Sequence, residues 1–157
     1  LSNVVSIGTW VLFNEGWGQF DAVKNTAALT SLDKTRPVDQ TSGWFDQGGG
    51  SYKSIHNYFS ELSVRKDLLG RAFVISECGG LALHIDGHSS SDKIYGYKNY
   101  DNEDTLNTAF SDMTSQLIAL NKKGLCGYVY TQLSDVEEEI NGIYTYDRKI
   151  CKIKESF

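Results

Sequence analysis

The stretch Phe13–Asp21, which reads FNEGWGQFD, constrains the fold of this chain more than any other feature. The residues leading into it, Ile7–Phe13, are β-branched, aromatic and aliphatic, and the run is too short for a buried helix, so it predicts a buried strand. Asp21 is placed to cap a helix that begins at Ala22. Glu15 is therefore predicted to lie in a glycine-containing loop between a strand and a helix, where α/β proteins commonly place their chemistry.

The residues around Glu15 are typical of a carbohydrate site. Amide and carboxylate groups such as those of Asn14 and Glu15 bind hydroxyls, and an indole such as that of Trp17 covers the apolar face of a pyranose. The alternative interpretation is that Glu15 is an ordinary solvated acid of a surface loop.

A second acid repeats this arrangement. Ala72–Ser76 is a clear strand pattern, and it is followed by Glu77 and then by Cys78-Gly79-Gly80. In a parallel sheet both glutamates would project from the same edge, but only closure into a barrel brings strand ends so distant in sequence to one pocket. Carboxyl groups about 5 to 5.5 Å apart would suit a retaining glycosidase.

The remaining periodic segments predict further strands and helices in alternation, which favours parallel pairing with right-handed crossovers. Composition does not choose between an open sheet and part of an eight-stranded barrel. The predicted helices are Ala22–Lys34, a short segment Glu61–Leu69, and the strongly amphipathic Leu106–Leu120; the other predicted strands are Val38–Ser42, Ser54–Tyr58 and Gly127–Leu133.

Composition excludes several classes of protein. At 157 residues, 40% hydrophobic and 22% charged, the chain is predicted to be one soluble globular domain with no membrane segment. A net charge of −5 without a basic cluster argues against a nucleic-acid partner. The three cysteines are an odd number without a CxxC pair, which indicates neither a disulfide framework nor a zinc site.

These cysteines make a reducing, cytoplasmic compartment the simplest expectation. No apolar segment behind basic residues precedes the first strand, so the sequence shows no secretory signal. Because the chain begins at Leu1 and not at Met, a secreted or periplasmic location is left open.

Several stretches, taken together and in this order, cover nearly the whole chain and resemble the catalytic domain of glycoside hydrolase family 2. That family comprises β-galactosidases, β-glucuronidases and β-mannosidases. The stretches are FNEGWGQFD at Phe13–Asp21, TRPVDQTSGWFD at Thr35–Asp46, SIHNYF at Ser54–Phe59, VISECGG at Val74–Gly80 and YTQLSDVEEEINGIYTYDRK at Tyr130–Lys149.

The resemblance implies an α/β fold, a partial TIM (β/α)8 barrel in which residues 1–157 form a single fragment supplying strands four to eight with their helices. It implies a retaining β-glycosidase that hydrolyses β-glycosidic bonds by double displacement, with no cofactor and no metal. Glu15 would be the general acid/base, Glu77 the nucleophile, and Asn14 a ligand of the sugar 2-hydroxyl.

The resemblance also implies four further substrate-binding residues. His56 and Tyr58 would face the sugar, with Tyr58 hydrogen-bonding the nucleophile, and Trp17 and Trp44 would form platforms at the rim. Strands one to three of the barrel and the β-sandwich domains that usually precede it are not in this sequence, and tyrosines stand where strand eight often carries tryptophan. The alternatives are a non-catalytic carbohydrate-binding or scaffold remnant, or an open α/β domain whose two glutamates never meet.

Other residues favour plainer interpretations. His84 and His88 have the spacing of a metal pair on a helix, but Gly87 lies between them and disfavours a role as metal ligands. Cys78 is expected to be a small residue lining a loop and not a nucleophile. The glycine run 48–50 is expected to be a flexible turn, and Asp135 with the acids at 137–139 a solvated turn.

Because a piece that starts at strand four would leave both sheet edges unpaired, the chain is predicted to self-associate or to bind a missing N-terminal part of the same enzyme. Apolar residues near those edges, among them Val11, Phe13, Tyr128 and Tyr130, would favour an interface of about 2,000 Å² or more. Analytical sedimentation of the purified chain at micromolar concentration measures this self-association. A well-folded monomer with no concentration dependence would contradict the prediction.

Overall fold

The computed structural model describes residues 3–93, 95 and 97–154 of the chain. Within this part, strands and helices follow in the order β1 (Trp10–Asn14), α1 (Ala22–Leu32), β2 (Val38–Ser42), β3 (Tyr52–Asn57), β4 (Ala72–Gly79), β5 (Leu81–Ala82), β6 (Lys98–Asn99), α2 (Glu103–Asn121) and β7 (Leu125–Thr131). Neither of these two helices combines the length and the apolarity needed to cross a bilayer.

The strands form three small sheets. β1 pairs in parallel with β2, with Trp10 opposite Val38 and Asn14 opposite Ser42. A second sheet has the order β3-β4-β7, and β5 pairs in parallel with β6. Because β1 and β2 end together, the backbone N–H of Glu15 reaches the carbonyl oxygen of Ser42 at 3.0 Å, which continues the pairing by one more residue.

The predicted partial barrel, strands four to eight each with its helix, is wrong. The strands divide into sheets of two, three and two strands instead of one continuous run, and the described residues contain two α-helices. Neither β2 nor β3 is followed by a helix. The chain between β2 and β3 turns at Gly43, Gly48 and Gly50, all of which have positive φ, so that connection is too irregular to be helical.

The predicted helix Glu61–Leu69 is absent, and its apolar residues explain the absence. Leu68 is 90% exposed and Leu69 is also exposed, so a helical stripe here would have no core to pack against. A short helix without such packing is marginal in water.

Asp21, which was predicted to cap α1, lies in the left-handed region at φ 41°, and its side chain makes no capping hydrogen bond.

The chain divides into two compact units. The first unit comprises the described residues up to His56 together with Ser63–Ser76 and Asn121–Tyr128. The second unit comprises Asn57–Leu62, Glu77–Leu120 and the described residues from Val129 onward.

In the first unit, β2 is buried along its whole length although most of its residues are polar. Each buried polar group needs a partner, because desolvating it without one is costly. The amide of Gln40 donates to Thr26 Oγ1 at 3.1 Å and accepts from the backbone N–H of Gly49 at 3.2 Å. Asp39 accepts from Ser54 Oγ at 2.8 Å, and burial raises the pKa of its carboxyl.

A charged cluster fixes the loop after β2. The guanidinium of Arg71 donates to Asp46 at 2.7 Å and 2.9 Å and to Asp67 at 3.0 Å and 3.1 Å. These hydrogen bonds hold the pKa of both carboxyls below its usual range. Lys53 adds a second cation at 2.8 Å from Asp46, so the loop that carries Trp44 is tied to β3 and to the residue before β4.

In the second unit, α2 supplies the core as its apolar spacing predicts. Leu106 and Leu117 are buried, and the cluster of Leu81, Leu83 and Leu106 packs against Phe110 and Met113 among others. The helix begins after Asn102, whose side-chain oxygen accepts from the N–H of Thr105 at 2.9 Å. This cap has the sequence signal of an Asn directly before the helix.

The acidic segment after β7 is only partly the solvated turn that was predicted, because Glu137 and Glu138 are exposed whereas Asp135 is fully buried. Its carboxylate lies 2.8 Å from the ammonium of Lys152, which is also fully buried, and accepts from the N–H of Gly142 at 2.8 Å. Lys152 donates further to the carbonyl oxygens of Ile140 and Leu83. Lys152 therefore fastens the last described segment to Asp135 and to the backbone at Leu83 and Ile140.

We expect Lys152→Ala to destabilise the protein by about 3–5 kcal/mol, because it leaves the Asp135 carboxylate buried without its cation. Lys154→Ala is the matched control, since Lys154 forms an exposed pair with Asp104 and its removal should change stability little. Urea midpoints of the three proteins measure the difference. Equal midpoints for the two variants would show that the buried pair does not hold the unit together.

Candidate active site

Glu15 lies directly after β1, in a strained backbone conformation. Its φ is 52°, in the left-handed region that residues other than glycine seldom adopt, and Gly16 and Gly18 also have positive φ. Strain of this kind collects at functional sites and persists where the surroundings hold it in place. Here the hydrogen bond from the Glu15 N–H to Ser42 provides part of that support, and the carboxylate remains 25% exposed.

The Glu15 carboxylate is paired with His56, which comes from β3. Oε1 of Glu15 lies 2.7 Å from Nδ1 of His56, whose side chain is 2% exposed. Nε2 of His56 lies 3.0 Å from Oγ of Ser42, at the end of β2. Ser42 Oγ lies 2.9 Å from Ser76 Oγ, and Ser76 donates to the carbonyl oxygen of Ile55 at 3.3 Å. A continuous chain of hydrogen bonds therefore connects a backbone carbonyl to the Glu15 carboxylate.

Gly43 makes room for the His56 ring. A Cβ atom at position 43 would lie 2.5 Å from Cγ of His56, closer than side-chain atoms approach one another, and the residue has φ +88°. Glycine is therefore required here both by space and by backbone conformation.

Aromatic side chains surround the Glu15 loop on the exposed surface of the first unit. Trp17 is 80% exposed and Trp44 is 48% exposed, with the ring of Phe45 edge-on to Trp44 at 6.5 Å. Gln19 Nε2 donates to the carbonyl oxygen of Phe45 at 3.0 Å, which ties the loop after β1 to the loop after β2. Asn14, the last residue of β1, is also exposed. These residues are thus available to a ligand.

In the second unit, Glu77 is held by Tyr58. The phenol of Tyr58 donates to Oε2 of Glu77 at 2.5 Å, and its oxygen lies 3.0 Å from Oγ1 of Thr131. Since the one phenolic proton goes to Glu77, the Thr131 hydroxyl donates to Tyr58. Burial and the hydrogen bond to the Glu77 carboxylate raise the pKa of Tyr58, so the phenol remains a neutral donor.

Two glycines after Glu77 allow aromatic rings to pack beside it. A Cβ atom at Gly79 would lie 2.5 Å from the ring of Tyr130, and one at Gly80 would overlap the ring of Tyr97. Tyr97 in turn stacks on Tyr58, with the ring centroids 3.9 Å apart and the planes within 6°. The stacking fixes the orientation of the phenol that holds Glu77.

The structure thus places each sequence-predicted site residue in one of two clusters. Glu15, His56 and the exposed Asn14, Trp17 and Trp44 belong to the first unit, whereas Tyr58 and Glu77 belong to the second. The expected hydrogen bond between Tyr58 and Glu77 is present. His56 was expected to face the sugar, but protein groups lie against both of its ring nitrogens. The distance between the two carboxyl groups stays a prediction.

Sequence reasoning missed the residues that orient these side chains. Ser42, Ser76, Thr131 and Tyr97 each contact a predicted site residue or its partner. Ser42 and Ser76 carry a usable signal, because each is a small polar residue close to the end of a predicted strand. Tyr97 carries none, since it lies far from Tyr58 in the sequence.

Cys78 and the histidine pair His84 and His88 lie in ordinary structural surroundings. Cys78 was expected to line a loop, but it lies within β4 and is fully buried. Burial raises the pKa of its thiol to about 11, which suits a packing residue and not a nucleophile. His84 and His88 are not on a helix, and they pair with different carboxylates, those of Asp86 at 3.3 Å and Asp147 at 2.9 Å.

No protein-family model and no curated protein matches the sequence.

We expect Gly43→Ala to destabilise the protein by about 2–4 kcal/mol, because it adds backbone strain to a clash with His56. Gly18→Ala is the matched control. Gly18 also has positive φ, at +61°, but nothing lies within 4 Å of its added Cβ, so only the strain of about 1–2 kcal/mol should appear. Urea unfolding gives both values.

The NMR signals of the His56 ring test separately whether the clash at position 43 displaces the ring. Its NMR signals should shift in Gly43→Ala and stay in place in Gly18→Ala. Equal losses of stability with an unmoved His56 would mean that Gly43 is needed for its backbone conformation alone.

Proposed function

We propose that this chain carries the two catalytic carboxylates of a retaining β-glycosidase of family 2 type, with Glu77 as nucleophile and Glu15 as general acid/base. One observation carries the proposal: the two carboxylates have partners of opposite kinds. Glu77 accepts from a phenol that stays neutral, whereas Glu15 is paired with an imidazole, which can hold or release a proton.

The contacts of Glu77 suit a nucleophile. A nucleophilic carboxylate must be ionised and must present one oxygen to the anomeric carbon. The 2.5 Å hydrogen bond from Tyr58 goes to Oε2 and fixes the plane of the carboxylate. The stacking of Tyr97 on Tyr58 and the Thr131 hydroxyl limit the movement of that donor.

The contacts of Glu15 suit the group that exchanges a proton. A general acid must give a proton to the leaving oxygen and, in the second step, take one from water. His56 lies 2.7 Å from Oε1 and is shielded from solvent, so it supports both protonation states of Glu15 by moving one proton across a short distance. The 25% exposure of Glu15 leaves the carboxyl accessible to a substrate.

The reaction then follows from these roles. Glu77 attacks the anomeric carbon while Glu15 protonates the departing oxygen, which gives a covalent glycosyl–Glu77 ester and the free alcohol. Glu15, now a carboxylate, removes a proton from water, and the resulting attack on the anomeric carbon releases the sugar and regenerates Glu77. The configuration is retained because two inversions occur.

The substrate class is a β-linked carbohydrate. Trp17 and Trp44 are exposed, and indoles can cover the apolar faces of pyranoses; the exposed amide of Asn14, next to Glu15, can bind a sugar hydroxyl. The same exposed indoles favour a second candidate, a module that binds carbohydrate without hydrolysing it. Covalent trapping separates the two functions.

The trapping experiment uses an activated 2-deoxy-2-fluoro β-glycoside and mass spectrometry of the intact chain. The expected result is a single added fluoroglycosyl group on Glu77, present in the unchanged chain and absent from Glu77→Ala. Binding of β-linked oligosaccharides without any adduct would favour the non-catalytic module and overturn the proposed activity.

Leaving groups give a kinetic prediction. Glu77→Ala should abolish turnover of every β-glycoside, whereas Glu15→Ala should lower turnover of alkyl glycosides by about 10²–10⁴-fold and spare aryl glycosides whose leaving groups need no proton. Glu138→Ala, which removes an exposed carboxylate elsewhere, is the control and should change neither. Equal losses on both substrate types in Glu15→Ala would contradict its role as the acid.

A further inference from the structure

The hydrogen-bond chain that ends at Glu15 has a direction fixed by the backbone. Its far end is the carbonyl oxygen of Ile55, which can only accept a hydrogen bond. Ser76 Oγ lies 3.3 Å from this oxygen, so the Ser76 hydroxyl proton points to Ile55. A serine hydroxyl has one proton, and Ser76 therefore acts as an acceptor toward its other neighbour.

The next two members of the chain follow from this. Ser42 Oγ lies 2.9 Å from Ser76 Oγ, and because the Ser76 proton is already used, Ser42 must donate. The single Ser42 proton is then used as well, so at 3.0 Å from His56 Nε2 the Ser42 oxygen accepts. Nε2 of His56 consequently carries a hydrogen.

This result determines what can lie between His56 and Glu15. In a neutral imidazole with its hydrogen on Nε2, Nδ1 has a lone pair. A lone pair facing an ionised carboxylate oxygen at 2.7 Å would be repulsive, yet this is the observed separation. The contact is favourable only when one proton lies between Nδ1 and Oε1, either as Glu15 carboxylic acid or as His56 imidazolium beside a carboxylate.

We propose that the Ile55–Ser76–Ser42 relay makes His56 a positioning residue that stores, in its contact with Glu15, the one proton used in general acid catalysis. The role rests on the proposed glycosidase function, but the hydrogen on Nε2 and the shared proton do not. Sugar recognition, the part expected of His56 from the sequence, is a different role.

The relay also accounts for the return of the proton. When Glu15 gives the shared proton to the leaving oxygen, His56 is left neutral with its hydrogen on Nε2, held there by Ser42. The Nδ1 lone pair then faces the Glu15 carboxylate, an arrangement that favours recapture of a proton. Water attacking the glycosyl ester supplies that proton, and the pair regains its starting state without any other reactant.

The first test is the protonation of the His56 ring, measured on the whole chain labelled with ¹⁵N at histidine. Long-range proton–nitrogen correlation spectra distinguish a nitrogen that carries hydrogen from one that does not, and the signals lost in His56→Asn identify the residue among the three histidines. The expected result at neutral pH is a protonated Nε2. An unprotonated Nε2 with hydrogen on Nδ1 would overturn the inference whether or not the chain is active.

The second test changes the relay without touching Glu15 or His56. Ser76→Ala frees the Ser42 proton to turn toward Nε2, so the hydrogen should move to Nδ1 in at least part of the population. Ser76→Thr keeps a hydroxyl and is the control; its spectrum should resemble that of the unchanged chain. If Ser76→Ala leaves the His56 spectrum unchanged, the relay does not set the ring's protonation and the inference fails.

Turnover distinguishes the catalytic role from a merely structural one. Ser76→Ala should lower kcat for alkyl glycosides by about 10-fold or more, spare activated aryl glycosides, and leave KM nearly constant, since a stored proton serves only poor leaving groups. A uniform loss on both substrate types would overturn the role in catalysis. If no glycoside is turned over or trapped at all, the proposed function fails while the spectra still decide the protonation of His56.

Discussion

The need to satisfy buried polar groups on β2 governs the first unit. The strand is buried from Val38 to Ser42, and hydrophobic burial alone would not favour its polar side chains. Their partners come from α1, from β3 and from the glycine turn after β2, so the same hydrogen bonds that make burial tolerable also fix the spacing of these elements. Ser42, the last residue of this strand, extends the network to His56 and thereby to Glu15.

The glycine run 48–50 was predicted to be a flexible turn, but the need to pair the buried Gln40 limits its movement, because the N–H of Gly49 donates to the Gln40 side chain.

Glu15 and Glu77 differ in the kind of side chain that orients each carboxylate. Glu77 accepts from the rigid aromatic donor Tyr58, and two glycines leave room for the rings of Tyr97 and Tyr130. Glu15 is oriented by a ring held at the end of a chain of small hydroxyls. A stiff phenol donor suits a group that keeps one protonation state, and a relay of hydroxyls suits a group that alternates between two. This contrast is the physical basis of the roles proposed for Glu15 and Glu77.

What the sequence could predict depended on whether the decisive interaction is local. The position of Glu15 directly after β1 and the buried stripe of α2 follow from patterns within a few residues, and both predictions are confirmed. Glu77 was predicted to follow its strand, but it lies within β4, which continues to Gly79. The predicted partial barrel was wrong, because strand propensity does not specify which strands share a sheet. Glu61–Leu69 has helical spacing but no surface that covers Leu68, and tertiary packing decides such short segments. From its neighbours in the sequence, Asp135 was predicted to be a solvated acid of a turn. Its partner Lys152 lies too far along the chain for a local pattern to indicate a buried pair.

The distribution of the two units along the chain has a consequence for synthesis on the ribosome. Each unit combines early and late segments: the first needs Asn121–Tyr128, and the second needs Lys152 to neutralise Asp135. Until β7 has been synthesised the first unit lacks its last segment, and Asp135 then remains without its cation until Lys152 follows. Most of the chain must therefore emerge before stable folding begins, and the exposed strand edges must be protected from other nascent chains in the interval.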